Sequence, residues 1–254
     1  MLAWDADQYL KFASERTQPA IDLVSKIALK PKTIVDLGCG PGNSTEVLAA
    51  RWAKADLTGL DSSSTMLEQA RKNHPTWTWL EADLATWQPR ERFDLVFSNA
   101  ALQWVANHDK LLPRLKNLVA DGGALAIQIP THQQSPLHQA MLELAKLPKW
   151  AEALYSASTA LSIETPRFYY DTLLPTKDTV LWQTAYQHVM PNAAAILEWI
   201  RGTGLRPFLE ALPNQAMRQE FESMLLERVK AAYPAQKDGR VLFEFNRLFM
   251  IAYL

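Results

Sequence analysis

The sequence predicts an α/β protein: a doubly wound sheet of seven strands, the last antiparallel, with a helical cap. Three observations predict it. Short apolar runs alternate with segments of helical period over the first half of the chain. Three of the nine glycines crowd into residues 38–42, where the first run meets the first helical segment. From Pro130 onward the texture turns helical, and this half holds nine of the 15 prolines.

Composition narrows the class. At roughly 150 residues per domain, 254 residues make one large domain or a core with an insertion. The 26 Lys+Arg against 27 Asp+Glu leave no basic footprint, so no nucleic-acid partner is expected. One Cys supports neither a disulfide framework nor a multi-cysteine zinc site, and no metal is expected. A hydrophobic share of 48% with 21% charged residues excludes disorder and collagen-like structure. No apolar run approaches the roughly 18 residues of a membrane span. Met1 to Gln8 lacks the basic start and apolar stretch of a secretory signal, so a reducing, cytoplasmic setting is expected.

In chain order, Tyr9, Phe12 and Arg16 recur at helical spacing and predict a helix, with one face laid across the ligand as a lid or else packed on the sheet through Tyr9 and Phe12. Thr33–Leu37, Asp56–Leu60, Thr76–Glu81, Phe93–Ser98 and Ala124–Ile129 read as buried strands. Ser44–Lys54, Ser64–Lys72 and Leu111–Val119 carry apolar residues three or four apart and read as helices. Asn43 and Ser44 offer caps for the first of these; Ser62, Ser63 and Ser64 do so for the second. Asp121-Gly122-Gly123 predicts a tight turn into the fifth strand. Beyond it, Leu137–Leu147, Ala193–Ile200 and Gln215–Ala232 read as helices. Asp178–Val189 and Val241–Tyr253 read as a late antiparallel pair completing the sheet. The expected division is a core with a lid helix over residues 1–131 and, in the same domain, cap helices plus the last two strands over 132–254.

The segment VDLGCGPG, Val35 to Gly42, has the placing of a nucleotide-cofactor loop. Gly38 and Gly40 allow a sharp turn and close approach of a ligand, and the helix after Gly42 aims N–H groups at the same place. A dinucleotide fingerprint needs Gly or Ala where Asn43 stands, and a P-loop needs Lys before Ser/Thr where Asn43-Ser44 stand. Asp36, just before the loop, would repel a pyrophosphate and suits a ligand with a positive amino group. Asp61 ends the second strand, where it suits ribose hydroxyls. Asp83, after the third strand, suits an adenine amino group, and Met66 suits the adenine face. Any one of these acids alone is most often a cap or a solvated charge. The ordered set points to a nucleoside.

These residues resemble the class I S-adenosylmethionine-dependent methyltransferases. VDLGCGPG is similar to their glycine loop, Asp61 in GLDSSSTML to the ribose acid and Asp83 in EADL to the adenine acid. FDLVFSNAALQW and DGGALAIQIP are similar to the fourth- and fifth-strand signatures. Within that class, WDADQYLKFASERTQPAIDL, GPGNST, SNAALQW, RFYYDTLL, WIRGTGLRPFL and GRVLFEFNRLFMIAYL resemble the trans-aconitate methyltransferases. That likeness spans nearly the whole chain and is weakest from His132 to Glu164. The resemblance implies a Rossmann-like sheet, S-adenosylmethionine as cofactor, and methylation of one carboxylate of trans-aconitate or a similar small polycarboxylate. Ser62, Leu84, Asn99 and Ala100 then join the cofactor set, with Arg16 near the methionine carboxylate.

Such an acceptor is already ionised at neutral pH, its reference pKa being about 4.3, so no general base and no catalytic residue is expected. Alignment and desolvation suffice. The carboxylates that do not react need cations, arginine above all. Arg206 in TGLRPF is the first candidate, with Arg201 next and Arg167 and Arg247 behind it. Tyr169 and Tyr170, near an expected strand start, offer hydroxyl donors. His188 could position a carboxylate, and Trp104, after the fourth strand, could wall the methyl-transfer pocket. Each has a plain alternative as an ion pair, a core aromatic or a packing ring. The rival functions are methylation of another acid, such as a malonyl thioester or fatty acid, and a non-catalytic S-adenosylmethionine-binding module. The small acid is the expected partner, and the sequence sets no oligomeric state.

Overall fold

The computed structural model describes the backbone of residues 13–254 and the side chains from residue 17. A helix, α1 (Ala13–Lys26), precedes the alternation that the periodicity predicts. That alternation is β1 (Thr33–Leu37), α2 (Asn43–Arg51), β2 (Asp56–Asp61), α3 (Ser64–Asn73), β3 (Thr78–Glu81), β4 (Phe93–Asn99), α4 (His108–Lys116) and β5 (Val119–Pro130). The rest comprises α5 (Pro136–Ala145), α6 (Ala151–Ser158), α7 (Pro166–Leu173), β6 (Asp178–Met190), α8 (Ala193–Arg201), α9 (Arg206–Ala211), α10 (Gln215–Ala232) and β7 (Val241–Tyr253).

One sheet runs in the order β3-β2-β1-β4-β5-β7-β6. Strands β1 to β5 pair in parallel, and β7 pairs antiparallel with β5. The strand order reverses between β1 and β4, so their carboxyl ends form the switch point at which such sheets bind ligands.

The described residues divide into two compact units: Thr131–Leu161 with Thr184–Asn246, and the described residues up to Pro130 with Ser162–Gln183 and Arg247–Leu254. The sheet core lies in the latter. Val35, Leu37, Leu60, Val96, Leu125, Ile127 and Met250 are buried together, each worth roughly 1.5–3 kcal/mol on full burial. Strands covered on both faces need continuous apolar runs, which is why they were readable. In the other unit the rings of Trp150 and Phe208 lie 5.0 and 5.9 Å from Phe221 on α10. Among the described residues no helix is long and apolar enough to cross a membrane.

Several local expectations need correction. The cap of α2 is Gly42, left-handed at φ 101°; Asn43 and Ser44 are inside the helix. At α3 the cap is Ser63, whose side chain accepts from Met66 N. Asp121-Gly122-Gly123 is not a turn before the strand but a bulge inside it. Phe93 pairs with Val119 and Leu95 with Ala124, and a Cβ on Gly123 would lie 2.5 Å from the Asp94 carbonyl oxygen. Tyr169 and Tyr170 sit in helix α7, not at a strand start; Thr165 caps it and Pro166 opens it.

Candidate functional site

Backbone in the left-handed region at Gly38 (φ 72°), Gly40 (φ 56°) and Gly42 carries the chain from β1 into α2. The amides of Gly38 and Cys39 donate to the Leu60 carbonyl at 2.7 and 3.0 Å, and Gly42 N donates to the Cys39 carbonyl at 3.1 Å. Gly40 N donates to Asp61 Oδ2 at 2.9 Å. The loop amides are thus engaged within the protein and form no phosphate cradle. The two glycines differ in purpose. A Cβ on Gly38 would lie 2.2 Å from Ala101 Cβ, whereas at Gly40 no described atom lies within 4 Å, leaving an open face.

Asp61 is therefore tied directly to the loop. Its Oδ1 accepts from Ser63 N at 2.8 Å. Burial pushes its pKa up, while the amide hydrogen bonds oppose the rise. Ser62 beside it is exposed and Met66 buried. Asp83 is exposed, its Oδ1 accepting from Ala85 N at 2.8 Å. Arg114 on α4 holds this segment by donating to the carbonyls of Leu84 and Trp87. Leu84 Cδ2 lies 3.9 Å from where a Cβ on Gly38 would stand.

Asp36 uses one of its two oxygens within the protein. It is fully buried, and its Oδ2 accepts from Ser44 Oγ at 2.6 Å and Thr45 Oγ1 at 2.7 Å. Oδ2 thereby pins the start of α2 to the end of β1, while the buried Oδ1 has no partner among the described residues. Burial raises its pKa to about 6, with the two hydroxyls opposing and Asp61 adding repulsion.

Asn99 ends β4, and its buried Oδ1 has no partner among the described residues. Ala100 follows at φ 54°, a strained conformation for a residue with a Cβ, of the kind that gathers at functional sites. Ala100 N donates to the Gln128 carbonyl at 2.9 Å, and its own carbonyl accepts from Gln103 Nε2 at 2.7 Å. Trp104 closes the short 3-10 turn Leu102–Trp104 that comes next.

Tyr169 is not a free hydroxyl donor. Its oxygen accepts from Glu164 N at 3.0 Å and lies 2.7 Å from His108 Nδ1. The Leu102 carbonyl, 2.9 Å from His108 Nε2, can only accept, so Nε2 carries the proton and Tyr169 donates to Nδ1. Burial pushes the phenol pKa up. The pair anchors the turn after β4. Tyr170, on the same helix, is partly exposed.

Three of the four predicted substrate cations have carboxylates beside them, and the fourth, Arg247, donates to Gln128 Oε1 at 3.2 Å. Arg206 Nε lies 3.6 Å from Glu210 Oε1, one turn along α9. Arg201 pairs with Glu198 at 3.1 Å and Glu222 at 2.8 Å, and Arg167 with Asp171 at 3.7 Å. His188 packs in an aromatic group, its ring 4.5 Å from that of Trp199. Tyr9 and Phe12 fall outside the described residues, as does the side chain of Arg16. Sequence reasoning missed Ser44 and Thr45, Arg114, His108 and Gln128. Only Gln128, an amide inside the apolar ALAIQIP, carried a readable signal.

A family profile described as a methyltransferase domain matches residues 34–123. Among solved structures, the YcgJ protein from Bacillus subtilis superposes with a TM-score of 0.61 at 10% identity, covering 93% of this chain and 98% of that one. The plantazolicin methyltransferase BpumL, in complex with a pentazolic desmethylPZN analog and SAH, superposes with a TM-score of 0.50 at 17% identity, covering 96% of this chain and 85% of that one. Both show the shared fold. The trans-aconitate 2-methyltransferase of Rhodopseudomonas palustris (strain BisB18) is 45% identical over 99% of each chain. With that similarity running end to end, the chain belongs to the trans-aconitate 2-methyltransferase family.

Proposed function

We propose that this chain transfers the methyl group of S-adenosylmethionine to one carboxylate of trans-aconitate, giving a monomethyl ester and S-adenosylhomocysteine. The observation that carries the acceptor is the relative bearing that name, matched over 99% of both chains, cap segments included. The cofactor is supported by the fold shared with a neighbour that holds SAH, and by the residues present. Gly40 leaves an open face beside Asp61, and Asn99 Oδ1 is an unpartnered buried acceptor at the switch point.

When bound, the cofactor supplies an electrophilic methyl on a sulfonium, which a carboxylate oxygen takes directly. Asp61 would hold the ribose hydroxyls, Asp83 the adenine amino group and Asn99 Oδ1 the ammonium. Asp36 would act one layer back, holding the loop through Ser44 and Thr45. Since the acid arrives ionised, the protein's task is to align it and keep water away. Trp104 and the anchored turn after β4 would serve that task. Arg206 and Arg201 would have to exchange a glutamate for the substrate in order to clamp it.

Incubation with methyl-labelled S-adenosylmethionine and a panel of acids tests the reading. The panel holds trans-aconitate, shorter di- and tricarboxylates, a malonyl thioester and a fatty acid. Base-labile methyl ester from trans-aconitate is expected. Absence of turnover on every polycarboxylate overturns the proposal, and turnover of the thioester or fatty acid alone replaces the acceptor.

A further inference from the structure

Gln128 is a polar side chain in an otherwise apolar stretch of β5, where Ala124, Leu125, Ala126, Ile127 and Ile129 are all buried. It is itself fully buried. Its Oε1 accepts from Arg247 Nη1 at 3.2 Å, and its Nε2 has no partner among the described residues. Register places both residues at one end of the sheet. Asn99, last in β4, pairs with Gln128, and Pro130, last in β5, pairs with Arg247 on β7. This is the carboxyl end of the parallel strands, where doubly wound sheets carry ligands.

The strained Ala100 donates to the Gln128 main-chain carbonyl, so the turn that walls the site is tied to the backbone that carries this side chain. Asn99 offers an unpartnered acceptor and Gln128 an unpartnered donor, side by side, yet the two do not satisfy each other. A buried donor left unpaired is a cost that an amide serving only to pack has no reason to carry.

We propose that Gln128 contacts the acid substrate: its Nε2 donates to an oxygen of a carboxylate that does not react. Arg247 is the positioning residue. By holding Oε1 it leaves the donor end of the amide for the ligand, with a guanidinium charge behind it. The orphan groups are sorted by chemistry, since the Asn99 acceptor suits the ammonium of the methyl donor and the Gln128 donor suits a carboxylate. Both Gln128 and Arg247 are buried, so the acid reaches the amide by displacing what covers it. The assignment rests on the carboxylate-methylating reading above.

Kinetics with trans-aconitate, calorimetry with S-adenosylhomocysteine and thermal unfolding on Gln128→Leu and Gln128→Glu test it. Both variants are expected to fold and keep cofactor affinity, Gln128→Leu melting lower because it takes an acceptor from the buried Arg247, while KM for the acid rises about 10–100-fold, the loss of a hydrogen bond to a charged group. Gln128→Glu should be the worse, because it sets a carboxylate against a carboxylate, although its fold is helped by Arg247. Should Gln128→Glu not fold, Gln128→Leu decides alone. An unchanged KM in a folded variant overturns the assignment. So does a loss of cofactor affinity without a change in KM, or a failure of both variants to fold. A parent protein that neither turns over nor binds any polycarboxylate sinks the functional reading itself; an insensitive KM in an active parent sinks only the role of Gln128.

Discussion

Replacing Asp36 by Asn removes a buried charge while keeping an acceptor for the Ser44 and Thr45 hydroxyls, which now bond at 2.6 and 2.7 Å. Burial raises the carboxyl from 3.8 to about 6 in the folded chain. At about 1.36 kcal/mol per pH unit, this rise of about 2.2 units sets roughly 3 kcal/mol against the ionised form. Because the folded chain binds this proton more tightly than the unfolded chain, the cost is complete above about pH 6, shrinks down to about 3.8 and is absent below. Beside a pH-independent cost for the amide Nδ2 set where Oδ1 has no partner, titration should therefore open a gap of about 3 kcal/mol in favour of Asp36→Asn between about pH 3.5 and about pH 8. At roughly 2–4 °C per kcal/mol for a chain near this size, the gap is about 6–12 °C in melting temperature. Thermal unfolding of both chains across that pH range measures it. A gap that does not change with pH, or one that moves in the parent's favour as pH rises, refutes the argument that burial raises the Asp36 carboxyl.

Gly40→Ala should fold, with about 1–2 kcal/mol of backbone strain, yet lose S-adenosylhomocysteine affinity by about tenfold or more, because its Cβ enters the open face. Gly38→Ala should instead be strongly destabilised, its Cβ meeting Ala101 at 2.2 Å; a melting temperature like that of Gly40→Ala would contradict this. Asp61→Ala should weaken the same affinity in calorimetry, and unchanged binding would remove Asp61 from the ribose. Tyr169→Phe leaves His108 Nδ1 and Glu164 N without their partner and should cost about 1–3 kcal/mol in unfolding experiments. The same stability as the parent would mean that the hydroxyl anchors nothing.

The loop and its acids were legible because their order along the chain is their logic. Strand, glycines, helix and strand-end acid recur in sequence as they do in space, and the 2.9 Å bond from Gly40 N to Asp61 joins two features read separately. The short helices of the second half were not legible. Of these, α6 and α9 span eight and six residues, too short to show a period. Helix α7 did announce itself through Thr165 and Pro166, a start signal outweighed by its paired tyrosines.

What the sequence determined alone was the parallel alternation, the β1 and β7 boundaries and a nucleoside loop in place of a phosphate loop. Local composition decides these: burial on both faces writes apolar runs, and glycine spacing writes the turn. What only the tertiary structure decided was which polar groups already have partners. Asp36 gave one oxygen to the Ser44 and Thr45 hydroxyls, Arg201 acquired Glu222 from another helix, and Tyr169 was claimed by His108. Gln128 was left with a donor unspent. Hydrogen bonds and ion pairs join residues far apart in the chain, Gln128 and Arg247 among them, so their satisfaction is a property of packing that no local pattern records.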